Sequence, residues 1–169
     1  FYQINKIQTE KLYQKAIELA ELSKKDIILD AYCGIGTIGL SAASYVHQVI
    51  GVEIVKEAIK DAINNAKFNH IQNCFFYCED ASQFIVQNNN HFDVVFVDPP
   101  RKGCDFVFLD ALIQKKVKKI VYISCNPTTQ ARDVAYLCKN GYTFNEVYPF
   151  DMFPQTYHVE TVCALTLKK

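Results

Sequence analysis

The cysteine least suited to packing in this chain is Cys125. It lies in Ser124-Cys125-Asn126-Pro127, a polar turn where a buried thiol has little to pack against. A thiol becomes a nucleophile when it is accessible and its thiolate form is stabilised. The position supplies access, whereas the sequence names no group that would lower the pKa. Asp98-Pro99-Pro100-Arg101 is the second unusual element. Paired prolines fix an extended backbone and remove two donors, which suits a rigid turn presenting a carboxylate; a plain strand terminator is the bland alternative. Gly34, Gly36 and Gly39 form a GxGxxG, and Glu53 follows where the next strand should end. Such glycines allow a tight turn and close ligand approach, and such a carboxylate can accept from two ribose hydroxyls. The pair fits a nicotinamide dinucleotide or S-adenosylmethionine equally well, and close helix–strand packing alone would also use the glycines. Near the end, His158 and Glu160 alternate, so within a strand both face one side. Glu160 is then a candidate general base, with a solvated surface pair as the alternative.

These residues need a frame that gathers them. TEKLYQKAIELAEL reads as a helix capped by Thr9, with Leu12, Ala16 and Ala20 on one face. DIILDA, VHQVIGVEIV, CFFYCED, FDVVFVD and KIVYISC read as strands, with helical patterns between them. TTQARDVAYLCKNG reads as a helix capped by Thr128 or Thr129 and stopped by Gly141. Strands alternating with helices predict an α/β fold with a parallel, doubly wound sheet. The last two strands, YTFNEVYPFDMF and HVETVCALTL, have no helix between them and should pair antiparallel at one side. In open α/β sheets ligands bind outside the carboxyl ends of the strands. Those ends carry Asp30 with the glycine turn, Glu53, Asp80, Asp98 and Cys125, so all five should meet along one edge. Gln3 and Asn5 are within reach of a ligand there.

Composition bounds the rest. At 169 residues and half hydrophobic, with mean hydropathy −0.03, the chain has one domain's length and a core's worth of apolar side chains. No apolar run approaches the roughly 20 residues of a membrane helix. Eighteen basic residues balance eighteen acidic ones, which argues against a module that grips nucleic acid by its own charge. Seven cysteines, an odd number without a CxxC pair, argue for reduced thiols and against a disulfide framework or metal site. Cys33 should pack beneath the glycine turn. The chain opens at Phe1 without Met, and we expect it to be part of a longer protein.

With these motifs placed, the chain resembles the RNA uracil-5 methyltransferase family, which makes 5-methyluridine. The resemblance runs nearly end to end through FYQIN, DAYCGIGTIGL, GVE, DPPRKG, YISCNP and DMFPQTYHVETV. DAYCGIGTIGL and DPPRKG are closer to the ribosomal-RNA branch than to the transfer-RNA branch. The resemblance implies a class I S-adenosylmethionine-dependent methyltransferase fold, with an antiparallel C-terminal strand pair on a mostly parallel sheet. Residues 1–169 would be the C-terminal catalytic domain, with the RNA-binding parts elsewhere. Cys125 would be the nucleophile and Glu160 the base. Gln3, Tyr32, Gly34, Gly36, Thr37, Glu53, Asp80 and Asp98 would bind S-adenosylmethionine and its product S-adenosylhomocysteine; Thr37 stands where relatives commonly carry Asn. Arg101 and His158 would shape the substrate side. Some members carry an iron–sulfur cluster, which would lie outside this stretch. The implied partner is RNA, ribosomal (23S) in preference to transfer RNA, in the cytoplasm, with no membrane and no protein partner.

Three other readings compete. Amino-group methyltransferases use an Asp-Pro-Pro turn followed by an aromatic, where this chain has Arg101, and need no thiol. A nicotinamide oxidoreductase leaves DPPR and SCNP without work. A non-enzymatic RNA-binding module is at odds with the neutral charge.

Overall fold

The computed structural model describes residues 5–168. Helix α1 (Lys6–Ala20) precedes five strand–helix steps: β1 (Ile27–Ala31), α2 (Thr37–Ala42), β2 (Gln48–Glu53), α3 (Lys56–Phe68), β3 (Cys74–Cys78), α4 (Ala81–Gln87), β4 (Val94–Val97), α5 (Phe106–Gln114), β5 (Lys119–Ser124) and α6 (Pro127–Lys139). Strands β6 (Tyr142–Phe150) and β7 (Glu160–Leu167) close the chain. The sheet order is β3-β2-β1-β4-β5-β7-β6. The first five strands are mutually parallel, and β7 runs antiparallel between β5 and β6. The expected α/β architecture, with its antiparallel C-terminal pair, is therefore present.

The period-two alternation of the strands builds two cores. Leu29, Ile50, Val95 and Tyr122 point to one face, under Phe84, Phe108, Leu112 and Val134 of α4, α5 and α6. Ile28, Val49, Phe96 and Ile123 point to the other, under Leu12, Ala16 and Ala20 of α1 and Ile38 of α2. Burial on both faces explains why β4 reads as an unbroken apolar run.

Local polar residues set the element ends, not always the expected ones. Asn5, not Thr9, caps α1: its side chain accepts the Gln8 N–H at 3.2 Å, while Thr9 lies inside the helix. Asn5 also donates to the Met152 carbonyl at 3.3 Å, which ties the helix start to the C-terminal loop. Asn126, not Thr128 or Thr129, caps α6 by accepting from Thr128 N–H, with Pro127 in the first turn. Pro there costs nothing because its missing N–H would be unpaired anyway. Gly141 follows the α6 C-cap at φ +100°, as a helix stop requires. The final strands are shorter than expected. The chain between Phe150 and Glu160 turns irregularly, so His158 precedes β7 and the strand alternation linking it to Glu160 does not apply.

Candidate active site

The first half of the site lies at the ends of β1, β2 and β3. Asp30 is 1% exposed, and its Oδ2 accepts the Gly39 N–H at 2.8 Å. Burial, and secondarily the charge of Glu53, pushes its carboxyl up to about 7, while the Gly39 bond opposes the rise. Its Oδ1 is buried with no partner among the described residues. Gly39 packs so tightly that a Cβ would lie 2.8 Å from Val49 and 2.9 Å from Asp30. Gly34, at φ +54°, has open space where a Cβ would stand. The last glycine of the motif is thus needed for packing, whereas the first leaves its backbone accessible.

Glu53 braces the glycine loop from the next strand. It accepts from Gly34 N–H at 3.2 Å and Val55 N–H at 2.9 Å, leaving lone pairs on both oxygens. Gly36, at φ +82°, begins α2 and is pressed against Phe76, and Thr37 opens that helix half-buried. Tyr32 holds the left-handed conformation at φ +61°, which is costly without glycine, and its ring packs 5.6 Å from Phe108. Cys33 is buried beneath the turn as expected, and burial drives its thiol far up. Asp80 caps α4, one oxygen accepting from Ser82 and Gln83 N–H at 3.0 Å each. Gln3 lies outside the described residues.

The second half is built by the β5–β7 ladder. Ser124 and Thr161 are the last pair of that ladder; Cys125 directly follows the one, Glu160 directly precedes the other, and the Glu160 charge acts on the Cys125 thiol. The turn is pinned: Ser124 Oγ accepts the Asn126 N–H at 3.0 Å, and Thr161 Oγ1 donates to Gln130 Oε1 at 2.8 Å. Gln130 in turn donates to the Tyr122 carbonyl at 3.0 Å. Cys125 is half-buried and Glu160 is 5% exposed.

Two acids crowd the thiol in this half. Burial, then Glu160 and Asp30, push the Asp98 carboxyl up to about 8. Burial raises Glu160, with the Arg101 guanidinium pulling it back. Burial, then Glu160 and Asp98, raise the Cys125 thiol, and Arg101 is the charge that opposes them. The strand-edge position therefore gives Cys125 access but not a ready thiolate. His158 lies tilted against the exposed Tyr157 ring, 4.2 Å between centroids, and meets Phe153 edge-on.

Several residues here had no sequence signal pointing to them. Tyr13 of α1 feels burial together with Asp98, Asp30 and Glu160, all of which raise its hydroxyl. Tyr13, Gln130 and Thr161 fall within segments read as helix, helix and strand, with nothing in the sequence to single them out. Among the described residues no group of three or more His, Cys, Asp or Glu could hold a metal ion, and no helix is long and apolar enough to cross a membrane.

A glycine loop between β1 and α2, carboxylates at successive strand ends and a reversed penultimate strand together define a class I methyltransferase fold, and comparison with known structures agrees. A 1.95 Å rRNA methylase structure from Streptococcus thermophilus superposes with TM-score 0.75 over 96% of this chain and 97% of that one, at 10% identity, a likeness of fold alone. The Pyrococcus abyssi tRNA (uracil-54, C5)-methyltransferase, solved with S-adenosyl-L-homocysteine, superposes with TM-score 0.83 at 38% identity, over 98% of this chain and 40% of that one. The family model for tRNA (uracil-5-)-methyltransferase matches residues 1–169, and the chain belongs to that family. An uncharacterized RNA methyltransferase of Staphylococcus aureus (strain MRSA252) is 54% identical over 99% of this chain, and one of Enterococcus faecalis is 51% identical over 98%. The chain spans 38% and 37% of those two relatives.

Proposed function

We propose that the protein methylates carbon 5 of a uridine in RNA, with residues 1–169 as its catalytic domain. The observation that supports this reading is the end of the β5–β7 ladder, where Cys125 follows the last paired residue of β5, Glu160 precedes that of β7, and the Glu160 charge acts on the thiol. Family membership and the RNA methyltransferase relatives support RNA as the substrate. S-adenosylmethionine supplies an electrophilic methyl group on a cationic sulfonium. The chain suits that cofactor: Gly34 leaves open space, Asp30 Oδ1 lacks a partner, and raised carboxyls wait for a positive charge. Gly34, Gly36, Thr37 and Tyr32 would line its binding loop, Glu53 its ribose end, Asp80 its base, and Asp98 its charged end, with Gln3 also in contact.

Carbon 5 of uracil is a weak nucleophile. Cys125 Sγ gives its proton to solvent and bonds to carbon 6, and the displaced π electrons form an enolate through the carbon 4 carbonyl. Carbon 5 is then nucleophilic enough to accept a methyl group. Glu160 removes the carbon 5 proton, the double bond re-forms, and Sγ leaves. Arg101 offsets the carboxylates around the thiol, and His158 borders the substrate side. The base must leave its stack to reach this site, which single-stranded or loop RNA permits at least cost.

Ribosomal RNA, 23S in particular, is the target we favour, from the DAYCGIGTIGL and DPPRKG motifs. Transfer RNA is the second reading, favoured by the Pyrococcus abyssi relative. Mapping 5-methyluridine in both RNAs from cells lacking the protein tests the assignment. Loss of a ribosomal site is expected. Loss from transfer RNA alone would move the target, and no loss in either would overturn the function. We place the protein in the cytoplasm with RNA as its partner, without a membrane or protein partner.

A further inference from the structure

Beside the nucleophile turn lies a polar network that the proposed chemistry does not use. Asp133 of α6 is 0% exposed, yet both its oxygens are occupied. Oδ2 accepts from Tyr122 Oη at 2.6 Å and from Cys104 N–H at 2.9 Å. Oδ1 accepts from Arg132 Nε at 2.8 Å and pairs with Nη2 at 2.7 Å. Arg132 Nη2 also donates to the carbonyls of Lys102 and Cys104, at 3.1 and 3.0 Å. The chain from Arg101 to Cys104 is thereby fastened to the helix that follows Cys125.

Two further bonds fix the start of the same loop. Asn126 Nδ2 and Thr129 Oγ1 both donate to the Arg101 carbonyl, at 3.0 and 3.2 Å. Gly103, at φ +76°, makes the approach possible: a Cβ would sit 2.6 Å from Asp133 Oδ2 and 2.8 Å from Arg132 Nη2. A loop does not ordinarily draw a fully buried carboxylate onto its backbone, because desolvating that charge is expensive unless its bonds are made.

We propose that Arg132 and Asp133 are positioning residues: they clamp the Arg101–Cys104 loop to α6 and so hold the Arg101 guanidinium on the Cys125 side of the site. The clamp acts through Arg101 and touches neither substrate nor cofactor. It rests on the reading of Cys125 as the attacking group, and its test is independent of turnover.

The test is the pH dependence of Cys125 alkylation by iodoacetamide in the full-length protein, read by mass spectrometry on the Cys125 peptide. Arg101→Ala should slow alkylation near neutral pH by about three- to tenfold, because one pKa unit is tenfold in thiolate. Arg132→Ala should produce a shift in the same direction. In the Arg101→Ala background it should add nothing, since its target is gone. Gly103→Ala, which pushes the loop off the clamp without removing a polar group, should shift the profile likewise. Where Arg132→Ala does not fold, Arg132→Lys keeps a positive charge but cannot serve Asp133 and both carbonyls together, and should give a smaller shift. A folded Arg132 variant with an unmoved profile, or a shift that adds fully to that of Arg101→Ala, overturns the proposal. Failure of Cys125 as nucleophile would appear instead as an RNA adduct that survives its removal.

Discussion

Asp30, Glu53 and Asp80, around the ends of β1, β2 and β3, each accept backbone N–H groups. Asp98 and Glu160, beyond β4 and at the start of β7, accept no hydrogen bond among the described residues, and burial raises both. The first half of the edge is settled before any ligand arrives: its carboxylates fix loop geometry. The second half concentrates acids beside a thiol with one guanidinium to offset them, and it is at ease only when some acids are protonated or a cation enters. Shape is prepared on one side and charge on the other. A sulfonium cofactor would meet both requirements.

The largest expected effect falls on the second half. Glu160→Gln keeps size and burial but cannot take a proton, so turnover should drop about 10²- to 10⁴-fold. A covalent RNA–protein complex should accumulate on ordinary uridine RNA, visible as a slow-migrating band on denaturing gels. Unchanged release of the adduct would remove Glu160 as the base.

Next comes a contrast between glycines of one loop. Gly39→Ala forces a Cβ against Val49 and Asp30, and should destabilise the domain by about 1–3 kcal/mol in urea unfolding. Gly34→Ala meets nothing within 4 Å. Its cost should be the left-handed backbone term of about 1–2 kcal/mol, with a disproportionate loss of cofactor affinity by calorimetry. Equal losses of affinity in the two variants would erase the distinction drawn between them.

A smaller effect concerns pH and cofactor charge. Burial pushes the Asp98 carboxyl up to about 8, and a bound cation favours its ionised form, so binding should release a proton. Affinity for S-adenosylmethionine should rise between about pH 6 and 9 by up to roughly tenfold. The neutral product S-adenosylhomocysteine should show a flatter profile, and Asp98→Asn should remove the difference. Identical slopes for cofactor and product would contradict the charge argument.

The smallest expected effect is on the unliganded fold. The carboxyls of Asp30 and Asp98 rise on folding, to about 7 and 8. Groups raised in this way stabilise the fold below their unfolded pKa, near 4, and lose that contribution as pH climbs through the folded values. The melting temperature should therefore fall as pH climbs from about 5 to 8. In Asp30→Asn, where an amide oxygen can still accept from Gly39, the slope should be shallower.

The same contrast governs what the sequence made legible. Glycines, prolines and strand-end acids announce themselves because backbone geometry restricts them, so the first half and the succession of strands and helices could be read directly. The antiparallel return of β7 followed from the missing helix between the last strands. Its register did not, and the Ser124–Thr161 pairing is what brings Glu160 to the end of β5 where Cys125 follows. Asn5 and Asn126 took caps assigned to Thr9 and Thr128 or Thr129, because asparagine competes well at the N-cap and tertiary contacts fixed each helix start. His158 was placed in a strand on alternation alone, though irregular chain extends to Glu160. Tyr13 and Asp133 carry no local signature, since their partners are distant in sequence.

The account stands on Cys125 Sγ forming a bond to carbon 6 of uracil. RNA carrying 5-fluorouridine blocks proton removal at carbon 5, so the full-length protein with S-adenosylmethionine should trap a complex that peptide mass spectrometry assigns to Cys125. Cys125→Ala should abolish it. An adduct located on another residue, or one undiminished in Cys125→Ala, would contradict the account.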